Sequence, residues 1–237
     1  MRCGGGWSVS RQVPPTQHSR KGLSVALHQR LRFLTGYLQS PTVVGAVAPS
    51  SSALAAALCA PYRRFRKPAK VLEVGAGTGA VTRHLGPLLG EEDELDICEI
   101  HTEFADILER DVLSRPDFAP GVAVGRVRLL RSPVQEIECE DRYDFVISGL
   151  PLTVFTLRDV QDVFGVIRRC LKPGGVLSYF EYVGLRRTFR LLSMGRRRAR
   201  IRSVSTYLSE QLREHQIDTT TVLRNLPPAH ARHLRFA

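Results

Sequence analysis

The stretch "VLEVGAGTGAVTRHL", residues 71–85, runs from an apolar β-pattern through three glycines into a helix-like segment. Glycine at Gly75, Gly77 and Gly79 lets a backbone turn sharply and approach a ligand closely, as happens at the switch point of an open parallel sheet. The spacing also satisfies the dinucleotide pattern GxGxxG/A, so the glycines alone leave the ligand open. Glu73 discriminates. A carboxylate two residues before the first glycine would repel a pyrophosphate and would suit a cationic cofactor free of phosphate. Glu99 lies 20 residues past Gly79 at the end of the next expected strand, where a carboxylate can accept hydrogen bonds from two ribose hydroxyls. Together they point to S-adenosylmethionine, whose sulfonium and ammonium are cations.

Outward from this loop the pattern alternates. Strands are expected at 70–74, 94–100, 126–130, 143–148 and 175–182, with helices at 78–89, 102–113 and 157–171. Lys172 to Gly175 is read as a helix stop and turn. Beyond them the sequence predicts a helix near 203–215, a strand at 219–224, a turn at 225–228 and a last strand to Phe236. On the amino-terminal side, Ser50 or Ser51 is placed to cap an alanine-rich helix that Pro61 ends. The fold expected is α/β, a doubly wound, Rossmann-like, mostly parallel sheet of seven strands.

The remaining amino-terminal sequence divides in two. Residues 1–19 read as a disordered basic tail without the apolar core of a secretory signal. Residues 20–62 read as a helical docking or cap segment, and 63–237 as the main domain. Within the second segment, Leu23, Leu27, Leu31, Leu34 and Leu38 form one helical stripe, with Arg30 and Arg32 elsewhere on the wheel. Such a basic amphipathic helix packs on its own domain or lies in a membrane interface.

The net charge of +11 is unevenly placed. No acidic residue occurs from Met1 to Leu72, and a second acid-free stretch, 182–209, carries eight arginines from Arg186 to Arg202. Between them sits the acidic run Glu91, Glu92, Asp93 and Glu94. This segregation suits a molecule that meets a polyanion, nucleic acid or an anionic membrane, with some of its parts only. No apolar run reaches the roughly 18 residues of a membrane-spanning helix, so a cytoplasmic chain, peripheral on the inner face of the membrane, is expected. The five cysteines, Cys3, Cys59, Cys98, Cys139 and Cys170, form no CxxC pair and are expected as buried free thiols. His230 and His233 are spaced HxxH without a third ligand, and no metal is expected.

A second stretch, "VISGLPL" at 146–152, ends an apolar strand in a corner without acid, base or metal ligand. Transfer of a methyl group to an amine needs a neutral, aligned nucleophile more than it needs acid–base machinery. Backbone carbonyls at Gly149 and Leu150 could accept the amine N–H bonds, Gly149 leaving room and Pro151 holding the turn. Tyr179 and Tyr182, in "LSYFEYVG" at 177–184, are expected on one side of their strand, with Tyr182 nearer the acceptor and Glu181 on the other side. A phenol there could bond the amine or hold a cationic product.

"EVGAGTG" followed by an acid after the second strand resembles the class I S-adenosylmethionine-dependent methyltransferases. Within that class, "SPTVVGAVAPSSSALA" at 40–55, "VISGLPL" and "VLRNLPPAH" at 222–230 resemble the bacterial phospholipid N-methyltransferase and ornithine lipid N-methyltransferase group, over residues 31–234. The resemblance implies repeated methylation of the primary amine of a membrane aminolipid, with S-adenosylmethionine held by Glu73, Gly75, Ala76, Gly77, Thr78, Gly79, Glu99, Ile100, Pro133 and Val134. The acceptor corner is then Ser148, Gly149, Leu150, Pro151 and Tyr182. Arg30, Arg32, Arg186, Arg187 and Arg190 would meet headgroup anions or the membrane surface. Two departures stand out: Arg131-Ser132-Pro133 where relatives often carry Gly-Asp-Ala, and a longer arginine-rich stretch. The alternative is an RNA adenine N-methyltransferase. Base-modifying relatives carry an aromatic ring after the corner, and Leu152 and Thr153 offer none, which favours lipid over nucleic acid.

Overall fold

In the computed structural model, residues 50–65, 68–184 and 195–236 are described. Strand β1 (Lys70–Val74) lies between β2 (Glu94–Cys98) and β4 (Tyr143–Ser148), with β3 (Val127–Leu130) at the far edge. On the other side follow β5 (Leu171–Tyr182), β7 (Ala229–Arg235) and β6 (Gln216–Val222). The order β3-β2-β1-β4-β5-β7-β6 reverses between β1 and β4, and β7 is antiparallel to both of its neighbours. This is the doubly wound, mostly parallel seven-stranded sheet that the alternating pattern predicts.

The central strands β1 and β4 are largely apolar on both faces because helices cover both. Leu72, Val146, Leu177 and Tyr179 pack on one face with helix α6 (Leu157–Cys170) and helix α7 (Gly195–His215). Val71, Ile97, Ile147 and Phe180 pack on the other with α1 (Ser52–Leu58), α2 (Ala60–Arg64), α3 (Thr82–Leu85) and α4 (Thr102–Leu108). A short α5 (Ala119–Ala123) leads into β3.

Several local expectations change. Ser51 caps α1 by accepting the Leu54 amide at 3.2 Å. Pro61, expected to end that helix, instead occupies the first turn of α2, where a missing N–H costs no helical bond. The Lys172–Gly175 turn is absorbed into β5 as a bulge: Tyr143 pairs with Leu171, and Phe145 already with Val176. The helix expected at 78–89 shrinks to α3 plus a 3₁₀ turn, Gly86–Leu88, since residues 78–81 belong to the glycine loop.

The cysteine expectation is overturned for one pair. Cys139 and Cys170 are joined by a disulfide, their Cα atoms 5.1 Å apart, because the segment before β4 runs alongside the end of α6. Cys59 and Cys98 are buried free thiols. The amphipathic stripe, with Arg30 and Arg32, and the arginines Arg186, Arg187 and Arg190 lie outside the described residues.

Candidate active site

The glycine loop leaves β1 at the carboxyl edge of the sheet, beside the point where the strand order reverses. Gly75, Gly77 and Gly79 all have positive φ, at 70°, 58° and 84°. Their small size serves two different needs. A Cβ at Gly75 would come within 2.5 Å of the Leu150 side chain, and one at Gly79 within 2.9 Å of Leu108 on α4. Around Gly77 a Cβ would meet nothing within 4 Å. The first and third glycines therefore serve packing, and the second lines open space that a side chain would fill.

Two carboxylates flank that space. Glu73 is buried on β1, and its Oε2 has no hydrogen-bond partner among the described residues. Burial raises its pKa from the ordinary 4.5 to about 7, Glu99 adds to the rise, and the adjoining Thr82 opposes it. A buried carboxylate oxygen without a partner is costly unless a cation or donor satisfies it. Glu99, also buried, accepts the Gly77 amide at 2.7 Å and the His101 amide at 2.8 Å. It thereby ties the end of β2 to the glycine loop, while each oxygen keeps a further lone pair for a hydroxyl.

The apolar wall comes from Ile100 and Val134, which belong to one cluster with Cys98. Pro133 precedes a 3₁₀ turn, Val134–Glu136, and the Cys98 thiol reaches the Ser132 carbonyl at 2.9 Å. Arg131, one of the departures from the family pattern, turns outward to Asp106 and Glu109 at 2.7 Å each.

The corner at the end of β4 is built against this loop. The Gly149 amide donates to the Val74 carbonyl at 2.8 Å, and a Cβ on Gly149 would stand 2.5 Å from the Gly75 carbonyl oxygen. Glycine is required there by the backbone of the cofactor loop itself. Pro151, at φ −80° and ψ 74°, forms an inverse γ-turn in which the Leu150 carbonyl accepts the Leu152 amide at 2.9 Å. That leaves the Gly149 carbonyl outside the turn. Ser148 is buried, and its Oγ faces the Leu150 amide at 3.3 Å.

The tyrosine expectation needs correction. Tyr179 packs edge-on against Phe164 of α6, whereas Tyr182 packs against Phe180 on the opposite face. Three residues on a two-residue period place side chains on opposite sides. It is Glu181 that shares the face of Tyr179. Tyr182 nevertheless reaches the carboxyl edge, lining a cleft of about 810 Å³ together with Glu181, Arg202 and Arg232. The HxxH histidines diverge for the same reason: buried His233 meets Ser178 at 2.8 Å, and His230 meets Thr221 at 3.0 Å.

Two contributors were missed by sequence reasoning. Thr82 faces Glu73 from the start of α3, three residues past the last glycine of the loop. Asn225, read only as a turn residue, is buried; its Oδ1 accepts the Ser51 amide at 2.9 Å and its Nδ2 donates to the Pro227 carbonyl at 2.7 Å. It joins two of the segments quoted for the lipid methyltransferase resemblance, and their proximity to each other was invisible in the chain.

A mostly parallel sheet with this order, a glycine cradle, a buried acid on β1 with one oxygen left over and an acid after β2 define a nucleoside-cofactor enzyme of the methyltransferase type. A methyltransferase-domain family model matches residues 71–175. The ornithine lipid N-methyltransferase of Singulisphaera acidiphila is 30% identical over 148 residues, 62% of this chain and 74% of that protein. The ubiquinone/menaquinone biosynthesis C-methyltransferase UbiE of Azotobacter vinelandii is 30% identical over 120 residues, 49% of this chain but only 44% of that enzyme. Among solved structures, the 1,6-didemethyltoxoflavin-N1-methyltransferase of Burkholderia thailandensis superposes with a TM-score of 0.55 at 20% identity, covering 97% of this chain and 93% of that one. The chain belongs to the class I S-adenosylmethionine-dependent methyltransferases, and its cofactor is S-adenosylmethionine.

Proposed function

We propose that this enzyme transfers methyl groups, repeatedly as its resemblance implies, to the primary amine of a membrane aminolipid, ornithine lipid or phosphatidylethanolamine. The observation that carries this reading is the corner at Gly149: a turn without any ionisable side chain, packed directly on the cofactor loop. The similarity to an ornithine lipid N-methyltransferase over 74% of that protein's length supports it.

Glu73, the Gly77 amide region and Glu99 would hold the cofactor through its ammonium and ribose, with Ile100, Pro133 and Val134 against its base. When bound, the cofactor supplies an electrophilic methyl group on a sulfonium. The chain's own task is to present a neutral amine in line with it. A free primary amine of this kind has a pKa near ~10.4 and is protonated at neutral pH. One ammonium proton must leave to solvent before attack; the Gly149 carbonyl can then accept an N–H bond from the neutral amine and direct its lone pair at the methyl carbon, the C–N bond forming as the C–S bond breaks and the thioether departs. Tyr182, whose phenol burial holds protonated, is the side chain assigned to the acceptor end. Tyr182→Phe is expected to lower turnover while cofactor affinity stays within about twofold.

Among the described residues no helix is long and apolar enough to cross a membrane. Purified protein and radiolabelled S-adenosylmethionine, incubated with anionic vesicles containing phosphatidylethanolamine, ornithine lipid or neither, test the proposal. Label on the amine of one aminolipid is the expected result. The UbiE similarity favours a second reading, C-methylation of a quinone precursor, and label on ring carbon would establish it. Label in RNA with none in lipid would overturn both.

A further inference from the structure

The turn between β6 and β7 points two leucines into solvent. Leu223 and Leu226 are 75% and 76% exposed, on either side of exposed Arg224 and buried Asn225. Isolated exposed apolar residues are common. These two differ in standing on a turn that is tied down by hydrogen bonds on both sides. Asn225 fastens it to Ser51 and to Pro227, and the Val183 amide donates to the Pro228 carbonyl at 2.8 Å, which joins the turn to the end of β5. Val183 is itself 40% exposed, so the apolar rim continues from the turn onto that strand end.

The position of the rim gives it meaning. Ala229 pairs with Tyr182, which places the turn at the carboxyl edge of the sheet, the edge where the glycine loop and the Gly149 corner also lie. The acidic run Glu91, Glu92, Asp93 and Glu94 enters β2 at the opposite edge. The rim thus couples apolar side chains to a guanidinium and holds the densest acidic segment away from whatever it meets.

We infer that the β6–β7 turn is a membrane-insertion element, with Leu223, Leu226 and Val183 entering the acyl boundary of an anionic bilayer and Arg224 meeting lipid phosphate. This deepens the aminolipid reading and rests on it for the choice of occupant. Insertion here would set the carboxyl edge, and the methyl-accepting corner with it, against the headgroup layer.

The test uses the full chain and sedimentation with phosphatidylglycerol/phosphatidylcholine vesicles, which contain no aminolipid. The double variant Leu223→Ser/Leu226→Ser should bind vesicles at least about tenfold more weakly than the parent, since it removes most of the inserting apolar surface. S-adenosylmethionine affinity by calorimetry should be unchanged, which shows that the variant is folded. In a Trp7→Phe background, Leu226→Trp fluorescence should be quenched by brominated lipid. Equal vesicle binding by parent and double variant, with no quenching at position 226, would overturn the inference. So would light scattering showing that the leucines close a dimer that the double variant dissociates while vesicle binding persists. Failure to bind vesicles, with aminolipid in detergent still methylated, removes the insertion element and leaves the functional reading intact. Vesicle binding through the turn without methylation of any lipid does the reverse.

Discussion

Glu73 is the buried acid on which the proposed cofactor site turns. Its folded-state pKa lies above the ordinary carboxylate value, so keeping it charged costs stability once the pH exceeds 4.5, and that cost is complete above about 7. An approaching ammonium favours the charged form. Cofactor affinity is therefore expected to fall as pH drops through 7, approaching about tenfold between pH 8 and pH 6. Glu73→Gln should bind more weakly at pH 8 and lose that pH dependence, while the ligand-free protein gains stability at pH 8; calorimetry and thermal melts at both pH values check this. A pH-independent affinity in the parent enzyme would remove Glu73 from the ammonium site. The glycines make a second, sharper pair. Gly77→Val places a side chain in open space at positive φ and should abolish cofactor binding with the fold retained, read by calorimetry and circular dichroism. Gly149→Ala drives a Cβ into the Gly75 carbonyl and should instead lower both thermal stability and cofactor affinity.

At the scale of elements, the connections around the site are held by reciprocal side-chain bonds. Helix α6 begins with a capping box: Thr156 accepts the Asp159 amide at 3.2 Å, and Asp159 accepts the Thr156 amide at 3.1 Å. Thr156→Ala should cost about 1 kcal/mol in urea unfolding. Asn225 does comparable work between elements far apart in sequence, holding the start of α1 to the β6–β7 turn. Asn225→Ala leaves the Ser51 amide unpaired and should cost about 1–3 kcal/mol, with accelerated hydrogen exchange at the start of α1. An unchanged exchange rate there would mean that the clasp does not order the helix.

Across the molecule as described, the two edges of the sheet carry different features. The carboxyl edge of the sheet carries the glycine loop, the Gly149 corner and the Leu223–Leu226 rim, and the amino edge carries the acidic run at the start of β2. Vesicle association should weaken as salt rises from about 50 to 300 mM, because screening shortens the reach of the basic surfaces without affecting apolar insertion. Residual binding at high salt then measures the apolar contribution, and cosedimentation over a salt series separates the two.

The strand–helix alternation, the glycine loop and its acid were legible in the chain because each depends on near neighbours: apolar period, backbone freedom, and a carboxylate fixed two residues from a turn. Those features determined the fold class and the cofactor. Only the tertiary structure decided which face each tyrosine of β5 serves, that Cys139 meets Cys170, that Glu99 holds the Gly77 amide, and that Gly149 is small to clear the Gly75 carbonyl. The last three are contacts between segments separated by 31 residues (Cys139–Cys170), 22 (Gly77–Glu99) and 74 (Gly75–Gly149), and by bulges and turns that shift register. Local pattern carries no information about which distant atoms such segments bring within a few ångströms.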